Sequence, residues 1–316
     1  MNALPHFVSA GEALTDLVRT GPDQWTSMTG GAGLNVARAM ARLEVPSAFA
    51  GAISNDVFGQ ALQASAQQAG LDPRFLQLND RAPLLAVVHE TAPPDYFFIG
   101  DNSADLQFAP WELPSGWERE AQWVHFGGIS LARPPLADRL LSLASSLKSQ
   151  GVRISYDPNF RKLMDQQYDP MLHQMAALAD VIKVSDEDLQ GLFRTSDTRS
   201  ALERLRQINP NAVVLLTRGA EGAELFSGAQ AWHAAPPAII VADTIGAGDA
   251  SVCALLYSMM HRPQAGSIEH LRHAVAAGAA ACTQAGATPP TRQQIEALAP
   301  SVSVIPFIQG SQPCVV

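Results

Sequence analysis

QWVHFGGISLARPPLADRLLSLASSLKSQGVRISYD (122–157) carries a short apolar run at each end and a helical pattern between them. The outer runs, QWVHFGGI (122–129) and VRISYD (152–157), are of strand length and rich in β-formers. Between them Leu136, Leu140, Leu143 and Leu147 fall at i, i+4, i+7 and i+11, one stripe of an amphipathic helix, and Gly151 supplies its stop. Strand, helix, strand in that order is the repeating unit of a parallel sheet with crossover helices. The same type of run recurs in HFVSA (6–10), DVIKV (180–184) and NAVVLLT (211–217), and Val36, Met40 and Leu43 stripe a first helix. The expected fold class is therefore α/β with a mainly parallel sheet.

Two stretches break this rhythm, residues 12–30 and 82–108. In the second, PLLAVVHE and DYFFIG read as paired strands around the turn signal TAPPD. Periodicity leaves two readings open: an ordinary edge hairpin, or a small separate sheet placed as a lid over the strand ends where α/β folds bind ligands. No repeat, low-complexity tract or linker divides the chain, so 1–316 is expected to be one domain, with 12–30 and 82–108 supplying the lid strands. The Pro-rich end, SVSVIPFIQGSQPCVV, reads as a tail or an interface strand.

The chain has 21 Lys and Arg against 30 Asp and Glu, a net charge of −9 without a basic block, which argues against a nucleic-acid surface. Cys253, Cys282 and Cys314 are odd in number and lack metal-ligand spacing, as expected in a reducing compartment. The N-terminus has no basic segment followed by a long apolar one, and no apolar run approaches about 18 residues. A soluble, cytoplasmic protein is expected.

Chemistry concentrates in DTIGAGDASVCALLYSMM (243–260), where a strand, AIIV, is expected to lead through Gly246-Ala247-Gly248-Asp249 into a helix. Small residues let backbone N–H groups approach an anion, and the helix N-terminus adds partial positive charge. Asp249 at that point is either a helix cap or a general base for a hydroxyl attacking phosphate, and the dense Gly-Ala-Gly favours the base. TGGAGLNVARAM (29–40) opens another helix, and Asn35 offers an amide suited to a polyol. A dinucleotide fingerprint is not met there: Gly31 and Gly33 are followed by Val36, and residues 12–28 separate the segment from the first strand. Asp16 in GEALTDL is a candidate ligand residue or a solvated loop carboxylate. YDPNFR (156–161) groups Asp157, Asn159 and Arg161 at a strand end. KVSDEDL (183–189) offers Lys183, Ser185 and three acids, read equally as a helix cap or as a divalent-ion site. TRGAEG (217–222) is either a nucleotide-bordering surface or a hairpin turn. No GxxxxGK[ST] loop, H-E-x-x-H or G-x-S-x-G elbow is present.

GGAGLNVARAM, DPNFR and above all DTIGAGD at 243–249 resemble the ribokinase-like (PfkB) carbohydrate kinase family, in order and spacing along almost the whole chain. GEALTDL, ISNDVFGQAL, FGGISLA and KVSDEDL are most similar to its fructokinase branch. The resemblance implies a Rossmann-like three-layer α/β/α fold with a small β-sheet lid. It implies an ATP-dependent phosphotransferase in which Asp249 takes a proton from a sugar hydroxyl while Gly246, Ala247 and Gly248 hold the γ-phosphate. On the same basis Asp16, Gly31, Gly33, Asn35, Phe97, Asp157, Asn159 and Arg161 are expected at the sugar. Lys183, Ser185, Thr217, Gly219 and Gly222 are expected at the nucleotide, Asp188 at Mg²⁺ through water, and Asp243, with the 279–288 segment, at K⁺. A homodimer pairing through the lid is expected from Leu84, Leu85, Val87, Tyr96 and Phe98.

Departures from the family pattern fall on the substrate side. Its Asn-x-x-Glu reads Ser185-Asp186-Glu187-Asp188 here, Leu34 stands beside the expected pocket, Ile99-Gly100 follows Phe97-Phe98 where fructokinases place an Arg, and their FGS is Phe126-Gly127-Gly128. Fructose is the expected substrate, with 2-keto-3-deoxygluconate the competitor because Arg161 suits a carboxylate. A non-catalytic sugar or nucleotide sensor and a nicotinamide oxidoreductase are the readings from other classes.

Overall fold

The computed structural model describes residues 3–91 and 94–307. In chain order its strands are β1 (Phe7–Ala10), β2 (Leu14–Gly21), β3 (Gln24–Gly30), β4 (Ser47–Ser54), β5 (Leu76–Asn79), β6 (Leu85–Thr91) and β7 (Pro94–Ile99). There follow β8 (Trp123–Gly127), β9 (Arg153–Asp157), β10 (Val181–Ser185), β11 (Val213–Thr217), β12 (Ala223–Ser227), β13 (Gln230–Ala235) and β14 (Ser303–Pro306). They form two sheets. The larger has the order β14-β13-β12-β11-β10-β9-β8-β1-β4-β5, parallel from β11 through β5 and antiparallel from β12 outwards.

Strand alternation builds the layers. Val8, Val124, Phe126, Ile154, Tyr156 and Ile182 point to one side of the sheet. There they meet Leu136, Leu140 and Leu147 of the Leu136–Ser149 helix and Leu172 and Met175 of the Asp169–Leu178 helix. Phe7, Trp123, Val181 and Leu215 point to the other, against the Ala32–Arg42, Ala247–His261 and Ser267–Cys282 helices. The last two are apolar around most of their circumference, the pattern of a helix buried on several faces. Their approach is close: a Cβ on Gly278 would lie 2.5 Å from Ser251 Oγ. The layer order is thus α/β/α, as expected.

Of the two readings of 12–30 and 82–108, the separate sheet is the one formed. β3-β2-β6-β7 is a four-stranded sheet in which β2 and β6 run parallel and the outer pairs are hairpins. Residues 92 and 93 of the TAPPD turn lie outside the described residues, as does Cys314. Residues 100–108 are not strand; they return to the main body through a 3₁₀ turn, Ala104–Gln107.

Three further features differ from the sequence expectation. AIIV is not a strand. Pro236 and Pro237 lack the N–H groups a ladder needs, β13 ends at Ala235, and Ile240 is 91% exposed. Conversely β4, SAFAGAIS, is buried along its whole length next to β1 although Ala and Gly have low strand propensity; burial on both faces overrides it. The tail contributes β14 to the sheet edge, paired with β13.

Candidate active site

The parallel strands β1, β8, β9, β10 and β11 all end on one edge of the sheet, and their last residues carry the polar groups. Gly127 pairs with Asp157, and Ser185 pairs with Thr217. Two helices begin at the same edge. Gly31, at φ +102°, opens the Ala32–Arg42 helix; a Cβ there would lie 2.7 Å from the Glu12 carbonyl oxygen, so only glycine fits. Gly33 is buried against the same carbonyl and Phe49. Gly246, at φ +79°, opens the Ala247–His261 helix, whose first turn carries Gly248 and Asp249. That turn presents N–H groups without partners inside the helix. A small pocket between the two helix starts is lined by Asn35, Ala39, Gly246, Asp249, Ala250 and the Ala287–Pro289 segment.

Asp249 is the centre of this arrangement. Burial pushes its carboxyl up to about 7, Asp157 adds to the rise, and Lys183, a hydrogen bond from Asn35 and the charge of Arg161 oppose it. A carboxyl poised near neutrality is suited to accept a proton from a hydroxyl. Beneath it Lys183 Nζ lies 3.1 Å from Asp157 Oδ2 and 3.7 Å from Asp188 Oδ2. Burial alone would lower the lysine, but Asp157 and Asp188 together hold it above its ordinary range. A Cβ on Gly248 would sit 3.1 Å from that same Nζ, so glycine lets the cation stand against the helix start.

Asp16 projects from β2. Burial raises its carboxyl to about 6, against the opposing charge of Arg161. Arg161 is held by the Asn159 Oδ1, 2.7 Å away, and by the carbonyls of Asn159 and Phe160, and its guanidinium lies over the Tyr96 ring. Asn159 takes φ +44° and its N–H donates to Asp157 Oδ1, an Asx turn at the strand end. Asp16, Asn35, Asp157, Asn159, Arg161, Lys183 and Asp249 therefore belong to one neighbourhood.

Phe97 does not join it. The register pairs Asp16 with Ala86 and Ala86 with Phe98, so Asp16, Tyr96 and Phe98 share the face that looks towards Arg161. Phe97 lies on the opposite face and is 51% exposed. With a side-chain period of two, an assignment one residue off selects the wrong face. Leu34 is corrected likewise: it is 1% exposed and packs with Ala13, Phe49 and Ile53 in the core rather than beside the pocket.

KVSDEDL forms the helix cap of its two readings. The Ser185 hydroxyl accepts from Asp188 N–H while Asp188 Oδ2 accepts from Ser185 N–H, and Asp188 Oδ1 accepts from Phe160 N–H. Both oxygens of Asp188 are thus occupied by backbone, and among the described residues no group of three or more His, Cys, Asp or Glu side chains is arranged to hold a metal ion. TRGAEG is the turn joining β11 to antiparallel β12, with Gly219 and Gly222 at positive φ and Thr217 Oγ1 donating to the Val184 carbonyl. Asp243 accepts from the N–H groups of Thr244, Ile245 and Gly286, which outweigh the effect of burial and hold its carboxyl below the ordinary range. It pins the Asp243–Gly246 turn to the 282–288 loop.

Tyr96 and Phe98, on the face that looks towards Arg161, were not singled out from sequence as site residues. Strand parity counted from Asp16 would have identified the two aromatics. No helix among the described residues is long and apolar enough to cross a membrane.

Comparison with known proteins places the chain in a family. The model of the pfkB family of carbohydrate kinases matches residues 5–294. The chain is 31% identical to a fructokinase from Klebsiella pneumoniae over 254 residues, 78% of this chain and 81% of that one. It is 30% identical to the aminoimidazole riboside kinase of Salmonella typhimurium, over 91% of this chain and 92% of that one. The crystal structure of a fructokinase from Xylella fastidiosa with bound ATP superposes with a TM-score of 0.84 at 27% identity, covering 93% of this chain and 98% of that one. The chain belongs to the pfkB family of carbohydrate kinases and is a phosphotransferase acting on a sugar hydroxyl.

Proposed function

We propose that the protein is an ATP-dependent fructokinase. The observation that carries the chemistry is the placement of Asp249, a half-buried carboxyl pushed up to about 7, in the first turn of a helix that starts at Gly246. Its carboxylate takes the proton of the sugar hydroxyl as that oxygen forms its bond to the γ-phosphorus. The bond from the γ-phosphorus to the bridging oxygen of ADP breaks in the same step. Negative charge developing on the transferring group meets the first-turn N–H groups and the positive end of the helix, with Lys183 close by. Asn35 and Asp16 orient the sugar through hydrogen bonds, and Arg161, over the Tyr96 ring, closes one side. The nucleotide lies along the Thr217–Gly222 turn.

The four-stranded sheet acts as the lid that excludes water during transfer. Magnesium would come with the nucleotide and offset the triphosphate charge, and Asp188, whose two oxygens each accept a backbone N–H, would meet it through water. Asp243 and the 282–288 loop would border a K⁺ ion. The outward face of the lid carries Trp25, Leu17, Phe97 and Ile99, and the protein pairs through it as a homodimer. The free thiols of Cys253 and Cys282 suit a reducing cytoplasm.

Fructose is favoured by the relatives named fructokinase. A sugar acid such as 2-keto-3-deoxygluconate is the second reading, supported by Arg161 at the site. The test is ADP release with Mg-ATP and K⁺ across fructose, 2-keto-3-deoxygluconate, aminoimidazole riboside, ribose and adenosine, with a sugar-free control. Turnover highest on fructose is expected; a preference for the acid or the riboside replaces fructose, and ATP binding without transfer to any acceptor overturns the kinase reading.

A further inference from the structure

The chain passes between the two sheets four times, at residues 11–13, 30–31, 80–84 and 100–103. The first and fourth crossings bond directly to one turn of the main body, the Gly128–Ala132 3₁₀ segment and the Arg133 that follows it, and the second and third reach it through them. Glu12, in the first crossing, is fully buried and accepts hydrogen bonds from Ser130 N–H, at 3.1 Å, and from Ser130 Oγ. The second crossing packs directly on the first, Gly31 lying against the Glu12 carbonyl. Arg133 reaches the fourth crossing: its guanidinium donates to the Gly100 carbonyl at 2.5 Å, to Ser103 Oγ at 2.9 Å and to the buried Asp105 carboxylate. The third is joined to the fourth by Ala104 N–H donating to the Ala82 carbonyl. Within the turn, Arg133 N–H donates to the Ser130 carbonyl, so the two anchors form one hydrogen-bonded unit.

None of these groups lies among the residues that surround Asp249, and Glu12 and Asp105 are carboxyls that the transfer chemistry does not use. Burying them costs free energy that only their fixed partners offset. Gly128 shows how tightly the unit is built: it takes φ +67°, and a Cβ there would fall 2.0 Å from Glu12 Oε1. Movement of either crossing pair relative to the main sheet breaks buried hydrogen bonds to the same six residues.

We propose that the 128–133 turn is a shared clamp that couples the two hairpins of the small sheet, making Ser130 and Arg133 positioning residues for closure over the substrate. The closure part of this inference rests on the lid reading above; the mechanical coupling does not. Loosening one anchor through the clamp loosens the other, so the sheet moves as one body rather than as two independent hairpins.

Hydrogen exchange on the unliganded protein tests it, with Ser130→Ala and Arg133→Lys made singly. Peptides from 14–30 and 85–91 report the small sheet, and peptides from 123–127, 153–157 and 181–185 the main one. Each substitution is expected to raise exchange in both hairpins, including the one it does not touch, by roughly five- to tenfold while the main sheet is unchanged. Loosening confined to the contacted hairpin, an equal rise in both sheets, or no change overturns the clamp. Should either protein fail to fold, Glu12→Met, which removes the acceptor of both Ser130 hydrogen bonds while nearly keeping the volume, gives the same reading. A second readout separates positioning from mere stability: KM for the sugar rises in both variants while KM for ATP stays within about twofold. Because exchange is measured without substrate, absence of sugar turnover in the parent protein would refute the function and leave the coupling result standing.

Discussion

Lys183 Nζ lies 3.1 Å from Asp157 Oδ2, and the two side chains are only 7% and 3% exposed. This pair joins the end of β9 to the middle of the adjacent β10 and stands under the helix start that carries Asp249. It compensates three neighbouring carboxylates at once, and the site owes its electrostatic balance to it.

Replacing Lys183 by Met leaves Asp157, Asp188 and Asp249 without that cation. A loss of about 3–5 kcal/mol of stability is expected, as for other buried pairs broken on one side. Urea unfolding at pH 8 measures it. Removal of the cation also moves Asp249 further up, so the acid limb of the rate profile shifts to higher pH.

The Asp249→Asn protein is expected to lose turnover by about 10²-fold or more, the contribution typical of a positioned base. It should also be more stable than the parent at pH 8. The Asp249 carboxyl titrates at about 7 when folded, against an ordinary 3.8. Its stabilising contribution is full below the ordinary value and disappears as pH rises through the folded one. Asn, neutral throughout, therefore raises the melting temperature at pH 8 and changes it little near pH 4. Melting curves at the two pH values decide this.

In the parent protein kcat/KM is expected to rise with pH through about 7. An ordinary carboxylate base would place that limb near 4. Asp16, at about 6, adds a second and lower step that Asp16→Asn removes. A profile that is flat between pH 5 and 8 contradicts the assignment of Asp249 as base.

Tyr96 and Phe97 are neighbours on β7 with opposite roles. Tyr96→Ala removes the ring under Arg161 and is expected to raise sugar KM by roughly fivefold, equivalent to about 1 kcal/mol. Phe97→Ser should leave KM within about twofold and shift the mass seen by light scattering towards the monomer. The reverse pattern would return Phe97 to the substrate.

Gly128→Ala and Gly70→Ala separate backbone strain from crowding. Both glycines have positive φ, +67° and +74°, but a Cβ at Gly70 meets nothing within 4 Å whereas one at Gly128 strikes Glu12. Gly70→Ala should cost about 1 kcal/mol and Gly128→Ala at least about 3, read from urea midpoints. Equal costs would mean that Glu12 moves aside freely.

Much of the site was readable because its residues are local to strand ends. Asp157 ends one strand with Asn159 and Arg161 just beyond it, Lys183 lies within the next, and Gly246 to Asp249 open one helix, so a short window contains each group with its backbone context. The misassignments have a common character. AIIV is apolar yet unpaired because two prolines end the ladder before it. Leu34 faces the core because the helix turns it there, and Phe97 faces outwards because the register set by β2 and β6 turns the middle one of three consecutive aromatics away from the site.

The α/β class with its mainly parallel sheet, the glycine-rich helix start that carries Asp249 and the presence of two stretches outside the βαβ rhythm were determined by sequence alone. Each depends on periodicity or on backbone requirements that act over a few residues. Tertiary structure decided which face of the small sheet meets the site, how Lys183 is shared among carboxyls, and how Glu12 and Arg133 tie four distant crossings to one turn. Those relationships join residues up to 118 positions apart, as Glu12 and Ser130 are. Burial creates them: a charge or polar group removed from water must find a partner, and the partner comes from whichever element the packing brings within reach.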